Sequence, residues 1–277
     1  METSLDKLVE EVKLIAVKAG GAILEYFDEG DFEQFNKSDQ SPVTSADYAA
    51  NDIVLSCLQS LTPDIPIMSE EVEGLVLSER VKWPEYWLVD PLDGTQEFVA
   101  GRPDFAVNIA LIQNNKPVLG VIYAPVTEDI YWAVKDGGAF KKNRQEQVTK
   151  LAANKIDVNK HSLTLAISRV QKLDSITKYI SDSVDLGFIS LGSCALKSCL
   201  VAEGKADLYI RVGPTGEWDT GAPQIIVEEA GGCIIDSEFI PLTYNQRESF
   251  LNPDFIVAAD NDLDWTAVII PHGSRRD

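Results

Sequence analysis

Histidine is nearly missing from this chain: 277 residues contain two, His161 and His272. Neither falls in a motif, and both read as structural or solvated residues, so an imidazole nucleophile for a phospho-enzyme route is not expected. Cysteine is scarce too. Cys57, Cys194, Cys199 and Cys233 form no C-x-x-C pair and sit in apolar surroundings, the pattern of reduced thiols in a cytoplasmic core. Basic residues are few: 24 Lys and Arg stand against 44 Asp and Glu, a formal net charge of −20. Nucleic-acid polymers and anionic membranes both require clustered Lys and Arg, so neither is an expected partner. No apolar run approaches the roughly 20 residues of a membrane span. Met1–Glu11 is charged and mixed in sign, unlike the basic-then-apolar start of a secretory signal. These absences predict a cytoplasmic protein with no integral membrane segment and, at most, peripheral contact with the cytoplasmic membrane face. A homodimer is compatible with all of them.

What is present is a globular chain, 45% apolar, with material for a sizeable core. Leu5, Leu8, Val12, Ile15, Ala19, Ile23 and Phe27 recur at three- and four-residue steps and predict a long amphipathic helix over 4–27, ended by Gly30. A second helix is expected from Thr44 to Leu61, with Pro63 beyond it. The pattern then changes. Ile65–Ser69, Tyr86–Asp90, Phe105–Gln113, Pro117–Ala124 and Ile130–Val134 read as strands, and Asn114-Asn115 as a tight hairpin turn. The polar stretch 141–160 reads as a junction between an N-terminal α+β portion (1–150) and a C-terminal α/β portion (151–277). Beyond it, Leu163–Ile167, Ala206–Ile210 and Cys233–Asp236 are expected strands; 173–180, 194–203 and 219–230 are expected helices. The fold class is α/β, built from alternating helical and sheet layers.

Four segments carry residues suited to chemistry. In Trp87-Leu-Val-Asp-Pro-Leu-Asp-Gly-Thr-Gln-Glu-Phe98 an apolar strand runs into Asp90; Pro91 should turn the chain, and Asp93 follows. Two carboxylates and a carbonyl, that of Leu92, form a hard oxygen set suited to Mg²⁺. Gly94 and Thr95 could offer amides to a phosphate where a helix begins. A turn rich in Asp, Pro and Gly would look the same. Met68-Ser-Glu-Glu71 places Glu70 after a short strand, where an exposed acidic turn is the plainer reading. Asp219, in Glu217–Gly232, stands where a helix should start, as a common capping residue would. In Ser41-Pro-Val-Thr-Ser-Ala-Asp47, Thr44 is a natural cap and Asp47 falls in the first helical turn.

Ser69-Glu-Glu71, then Asp90-Pro-Leu-Asp-Gly-Thr95, then Trp218-Asp-Thr220 with Gly231-Gly232 behind it, resemble in order and spacing the inositol monophosphatase superfamily of lithium-sensitive, Mg²⁺-dependent phosphatases. Within it, Glu97-Phe98, the run 105–112, Leu196-Lys197, the run 199–204, Gly213-Pro-Thr215 and the run 247–253 resemble the bacterial 3′(2′),5′-bisphosphate nucleotidases. The resemblance implies a layered αβαβα sandwich and two or three Mg²⁺ ions. Glu70, Asp90 and the Leu92 carbonyl would hold one, Asp90, Asp93 and Asp219 a second, and Glu70 with waters a weaker third. It implies that Thr95, with Asp47 behind it, orients the attacking water, and that Glu70 shares in catalysis. Gly94 and Thr95 amides would bind the scissile phosphate, while Asp219, Gly192, Ser193 and Lys197 would meet the rest of a small phosphorylated substrate.

Unaided hydrolysis of phosphomonoesters is slow enough to demand up to roughly 10²¹-fold acceleration. Without a nucleophilic side chain in any motif, the expected route is direct attack by water activated at a divalent cation. The implied reaction turns adenosine 3′,5′-bisphosphate into AMP and phosphate. Inositol monophosphate and sugar bisphosphates are the alternative substrates. A non-catalytic metal-binding or nucleotide-binding regulator is the alternative of another class.

Overall fold

Residues 4–36, 42–72, 74–157, 162–169, 171–181 and 184–270 are described by a computed structural model. His161, His272 and Ser41 lie outside them. The helix α1, Leu5–Glu29, buries Leu8, Val12, Ile15, Ala19 and Ile23 along one stripe and ends at Gly30, whose φ of 64° is the left-handed C-terminal cap. Short strands β1 (Gln34–Asn36) and β2 (Pro42–Thr44) pair antiparallel. The second strand feeds α2, Ser45–Leu61, which starts at a Thr44–Asp47 capping box.

Seven strands then form one sheet: β3 (Ile67–Ser69), β4 (Glu85–Asp93), β5 (Ala106–Gln113), β6 (Lys116–Ala124), β7 (Asp129–Val134), β8 (Gly138–Lys142) and β9 (Val148–Lys150), in spatial order of sequence. Only the β3–β4 pair is parallel. Asn114 and Asn115, at φ 49° and 63°, make the expected hairpin between β5 and β6. Two short helices interrupt the sheet, α3 (Leu77–Arg80) and α4 (Thr95–Val99).

A second sheet holds β10 (Ser162–Ile167), β11 (Asp185–Ser190), β12 (Leu208–Arg211), β13 (Cys233–Asp236) and β14 (Phe255–Ala258) in the order β11-β10-β12-β14-β13. The helices of this half are α5 (Asp174–Thr177), α6 (Cys194–Ala202) and α7 (Trp218–Glu229).

The layers follow from the alternation of side chains along each strand. On β5, Val107, Ile109 and Leu111 face α1 and α2, whereas Ala106, Ala110 and Ile112 face α6 and α7. On the second sheet, Ala166, Tyr209, Ile234 and Val257 pack on the same two helices. Its outer face, including Leu165, Leu208 and Ile256, is covered by Ile176 of α5 and by Trp265 in a 3-10 turn. This is the expected αβαβα stack, with a thin last layer. The middle helices serve both sheets, and the approach is close. A Cβ on Gly120 of β6 would stand 2.8 Å from the Ala222 carbonyl of α7 and 2.5 Å from the Ile225 side chain.

Three expectations need correction. Pro91 does not turn the chain out of the sheet. The β4–β5 pairing slips between Asp90 and Asp93, so residues 91 and 92 form a bulge and no ladder N–H is demanded of proline. The polar stretch 141–160 is not a junction throughout, because β8 and β9 use it as far as Lys150. The edge strand β9 is exposed throughout and β8 carries two adjacent lysines, so no apolar alternation marks either. The helix expected over 173–180 is a single turn, and Ile180 instead bridges Ile269.

Candidate active site

The β4 bulge sets the geometry. It aims Asp90 and Asp93 into one corner, and both are almost fully buried. Asp90 Oδ1 accepts the Leu92 amide at 3.0 Å; among the described residues no hydrogen-bond donor reaches Asp90 Oδ2. Asp93 is held from across the layer by the start of α6. Ser193, at φ 57°, donates its hydroxyl to Asp93 Oδ2, Cys194 N–H donates to Oδ1 at 3.1 Å, and Ala195 N–H to Oδ2 at 2.7 Å. A carboxylate at a helix N-terminus is favoured by the exposed amides and the helix dipole. Asp219 enters from the first turn of α7, where Gly216 N–H donates to its Oδ2 at 2.7 Å. Asp219 is not the cap itself, a position taken by Glu217, but a first-turn residue that ties back the preceding turn with one oxygen.

Asp90, Asp93 and Asp219 each offer an oxygen within 4.8 Å of the other two. Glu70 lines the same cavity but lies outside this tight group. Burial, then the charges of Glu70, Asp93 and Asp219, push the Asp90 carboxyl well above its ordinary range. Burial, Asp93 and Glu70 raise Asp219 to about 8. Two buried carboxylates and a partly buried third, with an unpaired oxygen on Asp90, are costly as neighbours and well suited to a hard divalent cation. The residues present fit such an ion.

These shifts have a measurable consequence. Between the ordinary carboxylate range and about 8, the folded chain keeps a proton on Asp219 that the unfolded chain has lost. Stability of the metal-free protein therefore falls as pH rises through that window. A cation displaces this proton, so the rise in Tm produced by Mg²⁺ is expected to grow from about pH 6 to about pH 8 and then level. A shift that stays constant across the window would contradict the assignment.

Beside the corner, Thr95 Oγ1 lies 3.1 Å from Asp47 Oδ1 and 3.2 Å from the Leu92 carbonyl. The other Asp47 oxygen accepts both the backbone amide and the hydroxyl of Thr44, at 2.8 and 2.6 Å. One carboxylate thus caps α2 and holds Thr95, which lines the cavity. Burial raises its pKa against these hydrogen bonds, and the Glu70 charge adds to the rise. Gly94 takes φ 101°, and a Cβ there would meet the Asp104 carbonyl at 2.8 Å, so the turn into α4 requires glycine.

The cavity over these groups measures about 260 Å³. Gly192, Ser193 and Lys197 line it as the resemblance implies. Their polar atoms are already engaged: Gly192 N–H donates to Asp104 at 3.1 Å, and Lys197 Nζ donates to the Ser193 carbonyl and lies 4.9 Å over the Tyr209 ring. Burial lowers the Lys197 pKa. The sequence reading missed Asp104, which holds Gly192 and pairs with Arg169, and also missed Arg211 on the cavity wall. Asp104 follows Pro103 in a stretch without periodicity, and Arg211 ends a strand where an exposed charge is ordinary. It also missed Asn108, which sits opposite Asp90 in the β4–β5 register. Its position in the apolar run of β5 was the available signal.

Comparison with known proteins agrees with this geometry. The sequence model of the inositol monophosphatase family matches residues 4–264. The 3′(2′),5′-bisphosphate nucleotidase CysQ of Haemophilus influenzae is 39% identical over 268 residues, 97% of this chain and 98% of that protein. The CysQ of Salmonella typhimurium is 44% identical over 255 residues, covering 90% and 99%. Among solved structures, CysQ from Bacteroides thetaiotaomicron, a bacterial member of the inositol monophosphatase family, superposes with a TM-score of 0.74 at 36% identity, covering 90% of this chain and 95% of that one. Identity at this level along nearly the whole length leaves one assignment: the chain belongs to the inositol monophosphatase family.

Proposed function

We infer that the protein is a Mg²⁺-dependent phosphatase of small phosphomonoesters, a 3′(2′),5′-bisphosphate nucleotidase that converts adenosine 3′,5′-bisphosphate to AMP and phosphate. The observation that carries this reading is the convergence of Asp90, Asp93 and Asp219 within 4.8 Å on the wall of one cavity, in a chain about 40% identical to nucleotidases of that name. Asp90, Asp93 and Asp219 would hold the ion, with Glu70 and the Leu92 carbonyl beside them. Mg²⁺ bound there neutralises phosphoryl oxygens and lowers the pKa of water next to it.

The chain's own groups supply the rest. Asp47 Oδ1 accepts the Thr95 hydroxyl proton, which leaves the Thr95 oxygen free to accept a hydrogen bond from the attacking water. The raised pKa of Asp47 suits it to receive the proton that this water gives up. Ser193 and the first amides of α6 fix the rotamer of Asp93. The amides of Gly94 and Thr95, on the cavity wall, would bind the scissile phosphate. Four free cysteines fit a reducing compartment, and among the described residues no helix is long and apolar enough to cross a membrane.

Phosphate release with Mg²⁺ from adenosine 3′,5′-bisphosphate, inositol monophosphate and a sugar bisphosphate tests the reading. The nucleotide is expected to be the fastest by at least about tenfold, the scale on which pockets separate related substrates. Faster release from inositol monophosphate would overturn the nucleotidase assignment and keep the phosphatase. Tight Mg²⁺ binding without turnover of any of the three would favour the regulatory alternative.

A further inference from the structure

The run 247–253, prominent in the sequence, meets the cavity wall only where Asn252 N–H donates to the Thr215 carbonyl at 2.8 Å, among the hydrogen bonds of the described residues. It closes instead on Arg80, the last residue of α3. Arg80 is fully buried, although it sits in a polar stretch. Its Nη1 donates to Asn245 Oδ1 at 2.6 Å, and its Nη2 donates to the carbonyls of Arg247 and Glu248 at 2.5 and 2.9 Å. Its guanidinium carbon lies 4.3 Å over the Phe250 ring. Asn245, also fully buried, returns a bond from Nδ2 to the Arg80 carbonyl at 2.6 Å and donates its backbone amide to Glu217 Oε2 at 2.8 Å. It does so at φ 59°, a left-handed conformation that asparagine tolerates better than most residues.

Glu217 caps α7, two residues before Asp219. Its carboxylate is fully buried, and Oε1 accepts Arg247 Nη2 at 3.1 Å. Its amide donates to the Phe250 carbonyl at 2.8 Å, and Asn252 Nδ2 donates to the Gly216 carbonyl at 2.6 Å. Gly216 in turn holds Asp219 Oδ2. Hydrogen bonds thus lead from Arg80, five residues before β4 begins, through Asn245 to Glu217, and the peptide link to Gly216 carries the connection to the turn that holds Asp219. A buried Arg and a buried Glu are no more stabilising than apolar residues of the same volume. Their contribution is to the relative placement of two segments distant in sequence.

We propose that the buried Arg80–Asn245–Glu217 clamp, closed from outside by Arg247, is a positioning device that sets Asp219 against Asp90 and so fixes the affinity of the carboxylate corner for divalent cations. The proposal rests on the metal reading of that corner. None of the four clamp residues touches substrate, so they act through Asp219.

Two variants test it. Asn245→Gly keeps the left-handed backbone and deletes both side-chain amide bonds. Arg247→Met keeps much of the stem and removes the ion pair to Glu217. Calorimetric titration with Mg²⁺ alone is expected to show binding weakened about 10- to 100-fold, as for other residues that orient metal ligands. Turnover at saturating Mg²⁺ should stay within about threefold of the parent, and Arg247→Lys should recover most of the affinity lost in Arg247→Met. Lys141→Met serves as control. It breaks a half-buried pairing with Asp129 and Glu203, away from the cavity, and should lower Tm without moving Mg²⁺ affinity. Should Asn245→Gly fail to fold, Arg247→Met, whose side chain is partly exposed, decides the matter. Parent-like Mg²⁺ affinity in the folded variants would overturn the clamp, as would an equal loss in Lys141→Met. A parent protein that binds no Mg²⁺ would overturn the metal reading and the clamp with it.

Discussion

Asp90→Asn should cost about 10³-fold in kcat/KM, the several kcal/mol of transition-state stabilisation that a lost ion withdraws, while the metal-free protein melts no lower than the parent. The two halves of this expectation come from the same geometry. Asn is isosteric with Asp, and its carbonyl can keep the Leu92 amide that Asp90 Oδ1 accepts. The remaining side-chain contact is with the Asp219 carboxyl, and an amide can keep it by donating to that group. What disappears is a buried negative charge that burial and three neighbouring carboxylates already oppose. Removing it relieves repulsion in the absence of metal and removes the attraction for the cation. Phosphate release and thermal melting at about pH 8, each with and without Mg²⁺, check both halves. A variant that stays active, or that melts well below the parent without metal, would mean that Asp90 is a structural residue.

Thr95→Ala addresses the water instead of the ion. A kcat reduced by about 10²- to 10³-fold is expected, the range for a positioned proton-transfer group, with Mg²⁺ affinity within about threefold of the parent and with Thr95→Ser retaining most of the activity. The alanine removes the hydroxyl that bridges Asp47 Oδ1 and the Leu92 carbonyl and leaves the three carboxylates in place. Asp47 is a less clean target, because its second oxygen also caps α2. Losing that cap costs about 1 kcal/mol of stability and would mix two effects. A Thr95→Ala enzyme that loses Mg²⁺ binding in proportion to its rate would show that Thr95 supports the metal corner and does not manage the proton.

The sequence carried the metal corner well. Asp90 and Asp93 end an apolar strand beside Gly94, a cluster that an ordinary Asp–Pro–Gly turn also explains, and the motifs around it decide between the two. Asp219 was readable as a helix-start residue and Asp47 as part of a capped first turn, and both stand in first turns; that Asp219 lines the cavity and Asp47 reaches Thr95 has no signature in a linear pattern. Glu70 was read as a ligand on a par with the three aspartates, whereas it lies on the cavity wall outside the tightest group. Its turn is placed by β3, and three residues of strand do not reveal how deep the following side chain reaches. Pro91 misled because a bulge exempts proline from the ladder. Arg80 was invisible for another reason. Every local cue marks it as a surface residue, and it is buried only because Asn245, 165 positions later, meets it. Long-range polar partners leave no periodicity behind.

The carboxylate corner is assembled from both sheets' territory: Asp90 and Asp93 come from β4, the donors that hold Asp93 from α6, and Asp219 from α7. Assembly of the corner therefore requires the chain at least as far as Asp219. A nascent chain released only as far as Lys150 already carries Asp47, Glu70, Asp90, Asp93 and Thr95, yet lacks the third aspartate and the amides that steady the second. Such an intermediate would hold only part of the carboxylate corner.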